Sequence, residues 1–250
     1  MILTNKNSIL EALRSGRKIY SVKVHRSAKR DSRLDAILKL CDERRIDAGF
    51  SDLALKQRGT GMSRLSVAAH CEDFRYAELE QELKGIEKRT TDFPLMVALN
   101  HVQDPGNLGA LIRTCAAAGA AGIIIERHRC CAVTDAAADA ASGGMEHIAI
   151  MQVANLVHAL KKIKDYGCWV YGADEKAEGN IWKVKFNFPV CLVLGGEGEG
   201  LSYLVKKTCD FIVNIPTTPA FPTLNVSAAA SAIVFELKRQ WKMKNFVQGA

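Results

Sequence analysis

The chain has 250 residues, 48% of them hydrophobic and 24% charged, which is the balance of a globular protein with a sizeable core in one large domain or two modest ones. No apolar run reaches the ~20 residues of a membrane span, Met1–Lys6 lacks the form of a secretory signal, and eight scattered cysteines form no C-x-x-C pair or His cluster at metal spacing. The expectation is a cytoplasmic protein with reduced thiols and no metal, whose net charge of +7 is compatible with a polyanionic partner and equally with an ordinary basic surface.

In chain order, Ser8-Ile9-Leu10-Glu11 has the S-x-x-E form of a capping box, Ile9, Leu10 and Leu13 give the helix one apolar side, and Gly16 ends it. Ile19–Val24 alternates like a strand, Arg33–Arg45 carries Leu34, Ile37, Leu38 and Cys41 at helical spacing, and Leu65–Ala69 reads as a second strand. The loops between them hold Arg26, Lys29, Arg30 and Arg58 among other cations, which suits either phosphate contacts or a solvated face. Residues 77–92 are charged, poor in core residues and closed by Pro94. They read as a partly helical linker, crossed by few contacts, between units at 1–76 and 93–250.

From Phe93 strands alternate with helices. Leu95–Leu99, Gly122–Ile125, Ile148–Val153, Cys168–Tyr171, Val190–Leu194 and Phe211–Val213 read as strands. Helices are expected from about Asn107, after Thr134, after Asn155 and from about Leu224. Trp169, Tyr171 and Trp182 are read as core, and Cys130 and Cys131 as packing thiols. The alternation predicts an α/β domain with a mostly parallel sheet covered by helices on both faces. Ligands in such sheets sit beyond the carboxyl ends of the strands, here in the loops after Leu99, Leu194 and Val213.

The first of these loops leads into a helix with Asn107 and Arg113, a fixed fork of positive charge suited to a phosphate or a developing oxyanion, or else an ordinary surface arginine. The second, L-G-G-E-G-E-G-L-S from Leu194, holds Glu197 and Glu199 and lacks G-K-[ST], so it does not suit a phosphate; adenosine or a cation fits it better. In the third, Pro216, Pro219 and Pro222 impose a loop, and the run Ser227–Ala232 follows with almost no side-chain bulk.

Together, N-L-G-A-L-I-R-T-C-A-A-A-G, L-V-L-G-G-E-G-E-G-L-S and I-P-T-T-P-A-F-P-T-L-N-V-S-A-A-A resemble the SpoU (TrmH-like) branch of the SPOUT RNA ribose 2′-O-methyltransferases over about residues 95–236. By a vaguer pattern, residues 4–76 resemble the L30e/L7Ae-type substrate-binding domain of its longer members. The resemblance implies a C-terminal trefoil knot, S-adenosylmethionine bound within it, a homodimer and a structured RNA substrate. Carried over by position, Asn107, Arg113, Glu197 and Asn225 fall at the reacting ribose, and Leu194, Gly195, Gly196, Ile215 and Leu224 hold the adenosyl group. Two departures stand out. Thr223 replaces the family's serine before L-N-V-S, and Thr217–Ala220 lacks the family's glycine.

The reading is therefore ribose 2′-O-methylation of RNA, with a guanosine of 23S-type rRNA favoured as target. Thr223, Arg26, Lys29, Arg30 and Arg58 are its RNA-contact candidates. A tRNA substrate, or a non-catalytic RNA-binding or assembly role, are the alternatives.

Overall fold

The computed structural model describes residues 1–51, 66–86, 93–196, 198 and 200–248, the side chains of 247 and 248 excepted. Arg58, Glu197 and Glu199 lie outside the described residues, so their expected roles are not placed by it.

The first unit is a four-stranded sheet in the order β1 (Ile2–Leu3), β4 (Val67–Cys71), β2 (Ile19–His25), β3 (Asp47–Ser51). Its helices are α1 (Lys6–Ser15) and α2 (Ser32–Glu43). β1 and β3 escape a sequence reading because two and five residues carry too little alternation. The capping box is corrected: α1 starts earlier, Asn5 accepts from the Asn7 N–H, and Ser8 is buried inside the helix with its hydroxyl donating to the Ala138 carbonyl at 3.0 Å. Gly16 does end the helix, at a φ of 88° that most side chains avoid.

The segment read as core-poor is also corrected. It forms α3 (Leu79–Ile86), whose Leu83 and Ile86 are fully buried against the second unit, while Ala77 pairs in parallel with Met151.

The second unit is a wholly parallel seven-stranded sheet. Its order is β7 (Ala149–Val153), β6 (Gly122–Glu126), β5 (Leu95–Asn100), β10 (Val190–Gly195), β8 (Trp169–Ala173), β11 (Phe211–Asn214), β9 (Gly179–Asn180). Side chains alternate across the central strands. Leu95, Val97 and Leu99 join one core with α4 (Pro105–Ala118), α5 (Asp135–Ala141) and α8 (Val226–Gln248). Met96 and Ala98 join the other with α3, α6 (Leu156–Asp165) and α7 (Tyr203–Thr208). Thr134 and Asn155 cap α5 and α6 through their side chains, as expected. Tyr171 is core, but Trp169 and Trp182 are not: they stand 42% and 53% exposed, at the start of β8 and in a loop, where burial is partial.

The two units share one hydrophobic cluster, to which Ile9, Ala12 and Leu13 of α1 and Ala137, Ala138 and Ala141 of α5 all belong. Asp139 accepts the Thr4 and Asn5 N–H groups at 2.8 and 3.0 Å, and Arg17 pairs with Glu146 at 2.9 Å, both nearly buried. Deleting residues 1–76 would uncover the alanine face of α5 and leave Glu146 without its arginine. The parallel sheet is expected to remain folded with its unfolding midpoint lowered by about 5 °C or more. Thermal unfolding of the two forms checks this, and equal midpoints would make the shared surface energetically idle.

Candidate functional site

The third loop and the start of α8 are organised by Asn225. Its Oδ1 accepts from the N–H and hydroxyl of Ser227, at 2.9 and 2.5 Å, satisfying groups at the helix N-terminus. Its Nδ2 donates to Asn107 Oδ1 at 3.0 Å. Asn107 is fixed in turn, because Asp104 caps α4 by accepting the Asn107 N–H at 2.7 Å. The first and third loops, over a hundred residues apart in sequence, thus meet through two amides. Further along, the Thr114 and Ser231 hydroxyls meet at 3.2 Å and Lys238 donates to the Ala118 carbonyl, so α8 lies along α4.

Close backbone approach joins the first and second loops. Gly196 donates to the Asn100 carbonyl at 2.7 Å, and a Cβ on Gly196 would stand 2.0 Å from the His101 carbonyl oxygen. A Cβ on Gly195 would stand 2.2 Å from the Gly200 carbonyl carbon. These glycines are demanded by the protein's own loops. Asn100, fully buried, holds the far end of the second loop by accepting the Ser202 N–H at 2.8 Å.

The result is a cleft of about 630 Å³ lined by Leu194, Gly195, Gly196, Ile215, Thr223, Leu224 and Asn225, all singled out from the sequence. Val213, Ala229 and Ile233 add apolar wall. One contribution escapes the sequence: the loop after β8 brings Asp174, Glu175 and Lys176 to the same cleft. Burial pushes the Asp174 carboxyl up, but Lys206 Nζ at 2.8 Å and the Lys176 N–H outweigh it and hold it below the usual carboxylate range. A negative charge therefore persists at the rim. The position of β8 beside β10 is the missing signal, since chain order does not reveal sheet order.

Arg113 stands apart from the cleft lining. It lies six residues beyond Asn107 on α4, about 9 Å along the helix, exposed and with no ion pair or hydrogen bond among the described residues. Among the described residues, Asn107 and Asn225 hold each other through their side-chain amides. Arg26, Lys29 and Arg30 are exposed on the first unit and do not line the cleft; Arg30 is paired with Asp35 at 2.7 Å. Cys130 and Cys131 are half-buried packing thiols, Cys130 donating to the Leu99 carbonyl. Among the described residues no helix is long and apolar enough to cross a membrane.

The cleft has features of an adenosine site. Asn214 Oδ1, in its lining, is buried with no hydrogen-bond partner among the described residues. A buried acceptor without a partner is costly, and a donor on a ligand's base edge would relieve it. Gly195, Gly196 and Ile215 bring main chain to the same space.

Comparison with known proteins agrees with this architecture. The profile of the SpoU rRNA Methylase family matches residues 94–235. YacO of Bacillus subtilis, assigned to the TrmH family of tRNA/rRNA methyltransferases, is 33% identical over 94% of both chains. A protein of Staphylococcus saprophyticus with the same assignment is 31% identical over 96% of both. Among solved structures, the SpoU methyltransferase AviRb from Streptomyces viridochromogenes, crystallised with AdoMet, superposes with a TM-score of 0.79 at 21% identity, covering 97% of this chain and 91% of its own. On its sequence and its fold, the chain belongs to the SpoU methylase family.

Proposed function

We propose that the protein transfers a methyl group from S-adenosylmethionine to a ribose 2′-hydroxyl of structured RNA, with 23S-type rRNA favoured over tRNA. The observation that carries the reading is the meeting of the three family loops. Asn225 caps α8, reaches Asn107, and lies in the wall of a cleft whose buried Asn214 Oδ1 has no hydrogen-bond partner among the described residues. The names of the related proteins and the AdoMet complex of AviRb support the same chemistry.

In this reading Leu194, Gly195, Gly196, Ile215 and Leu224 hold the adenosyl group, and Asn214 Oδ1 receives a donor from it. Bound there, S-adenosylmethionine supplies an electrophilic methyl group on a sulfonium. The displacement is in line, so positioning the 2′-oxygen contributes much of the catalysis. Arg113, exposed beside the loop, grips the adjoining phosphate and stabilises the forming alkoxide. Arginine stays protonated in proteins, so the hydroxyl proton passes to that phosphate or to water. Asn107 and Asn225, with Glu197, keep the ribose in register, and Thr223 lies at the cleft where the RNA enters.

The quaternary reading is a homodimer in the cytoplasm. Phe235, Met243 and Phe246 leave an apolar stripe on α8, and Phe246 is 83% exposed, which suits a second copy. The trefoil threading belongs to the same proposal, as the family match over residues 94–235 leads one to expect. Residues 1–76 serve as the RNA-recognition unit.

Calorimetry with S-adenosylmethionine tests the reading. One site per chain is expected, and no binding would favour a non-catalytic RNA-binding role. Ala229→Leu sharpens the test, because Ala229 is half-buried in the cleft wall and a leucine there fills ligand space without entering the core. Cofactor affinity is expected to fall about tenfold or more, a loss of about 1.4 kcal/mol or greater, with fold and melting point retained. Unaltered affinity would place the ligand elsewhere.

A further inference from the structure

The sequence Arg127-His128-Arg129 follows β6 directly and forms an exposed turn at the carboxyl edge of the parallel sheet. The turn is pinned on both sides. Arg127 donates its N–H to the Val153 carbonyl at 2.9 Å, and Cys130 closes the turn onto the Glu126 carbonyl at 3.1 Å. Beyond it, the Cys131 N–H reaches the Val102 carbonyl at 2.8 Å, and the Cys130 thiol donates to the Leu99 carbonyl at 3.2 Å. The turn is therefore fastened to the loop that follows β5, the loop that leads to Asn107 and Arg113.

Neither Arg127 nor Arg129 forms an ion pair among the described residues. Asp104, on the neighbouring loop, is engaged in capping α4. Glu126, at the base of the turn, is buried beneath it and accepts from the Leu156 N–H. Two exposed guanidinium groups on a backbone held in place lose little freedom on binding an anion, and their forked donors match phosphate oxygens.

We propose that Arg127 and Arg129 form a phosphate clamp for the RNA strand flanking the target nucleotide, beside the site of methyl transfer. The occupant is a phosphodiester backbone, because the turn offers fixed cations on an exposed, polar surface. Backbone contacts of this kind set register and affinity without reading bases. The clamp thus aligns the strand so that the neighbouring ribose meets Arg113 and the cleft. This inference rests on the RNA methyltransferase reading above.

The test compares wild type, Arg127→Gln/Arg129→Gln and Arg127→Lys/Arg129→Lys. Each is assayed for binding to ribosomal RNA and tRNA purified from a strain lacking the gene, across a salt series, and for S-adenosylmethionine affinity, and the wild type also for methyl transfer to the same RNAs. The glutamine pair is expected to bind RNA about tenfold or more weakly near physiological salt, with the salt slope reduced by roughly one unit for each phosphate no longer neutralised. The lysine pair should keep most of the slope, and cofactor affinity should stay the same in all three. Wild-type affinity and slope in the glutamine pair, with the wild type itself binding and methylating RNA, would overturn the clamp. Failure of the wild type to methylate either RNA would instead overturn the reading on which the clamp depends.

Discussion

Arg113→Lys is expected to slow single-turnover methyl transfer by about 10²–10³-fold, the loss typical when one donor to a developing oxyanion is removed. Cofactor affinity should be unchanged. The basis is spatial: Arg113 is exposed on α4 and absent from the cleft lining, so the substitution touches no adenosyl contact. Lysine keeps the charge but loses the planar fork that can grip a phosphate and an alkoxide together. Single-turnover kinetics with excess enzyme, alongside calorimetry, separates the two quantities. A near-normal rate would remove Arg113 from the proposed mechanism, and a parallel loss of cofactor affinity would mean that the arginine serves the cleft instead.

Gly196→Ala should behave oppositely, damaging binding, turnover and stability together. Its new Cβ would lie 2.0 Å from the His101 carbonyl oxygen and 2.7 Å from the carbonyl carbon, so the loops after β5 and β10 must part. Backbone cannot yield there as a flexible side chain could. His101 already sits at a φ of 62°, and Gly196 donates to the Asn100 carbonyl. Separation would shift the approach to α4 and with it Asn107, while widening the cleft from the other side. The expected destabilisation is about 1–3 kcal/mol, read as a lower denaturation midpoint with loss of measurable cofactor binding. A variant of normal stability and affinity would show that the loop relaxes freely and that the glycine is not a steric requirement.

These two residues also show what the sequence can disclose. The glycines, Asn225 and the proline loop are legible because their local chemistry is specific: a glycine-rich turn after a buried strand, and a polar cap before a helix of small residues. Their meeting in one cleft follows from a parallel sheet that carries such loops at one edge. The loop after β8 is not legible. Asp174, Glu175 and Lys176 form no motif, and only the placement of β8 against β10 brings them to the site. The first helix misleads for a different reason. Ser8 and Glu11 have capping-box spacing, but Ser8 is spent on the Ala138 carbonyl across the unit boundary, and Glu11 meets His147 at 2.8 Å. A local pattern is overridden by contacts 130 or more residues away, which no single-segment reading can anticipate. The same holds for residues 77–92, where a charged composition hides Leu83 and Ile86, two buried positions one turn apart on α3.

The central claim is that the methyl group goes to a ribose oxygen, and the most direct test is to find where it lands. Wild-type protein would be incubated with methyl-labelled S-adenosylmethionine and with ribosomal RNA or tRNA from a strain lacking the gene. The product would then be divided between alkaline hydrolysis and digestion to nucleosides. A 2′-O-methyl group removes the hydroxyl that attacks the neighbouring phosphodiester. The account therefore predicts label in an alkali-resistant dinucleotide, and mass on the ribose of one nucleoside. Label carried on a base, released in an alkali-sensitive mononucleotide, would contradict it.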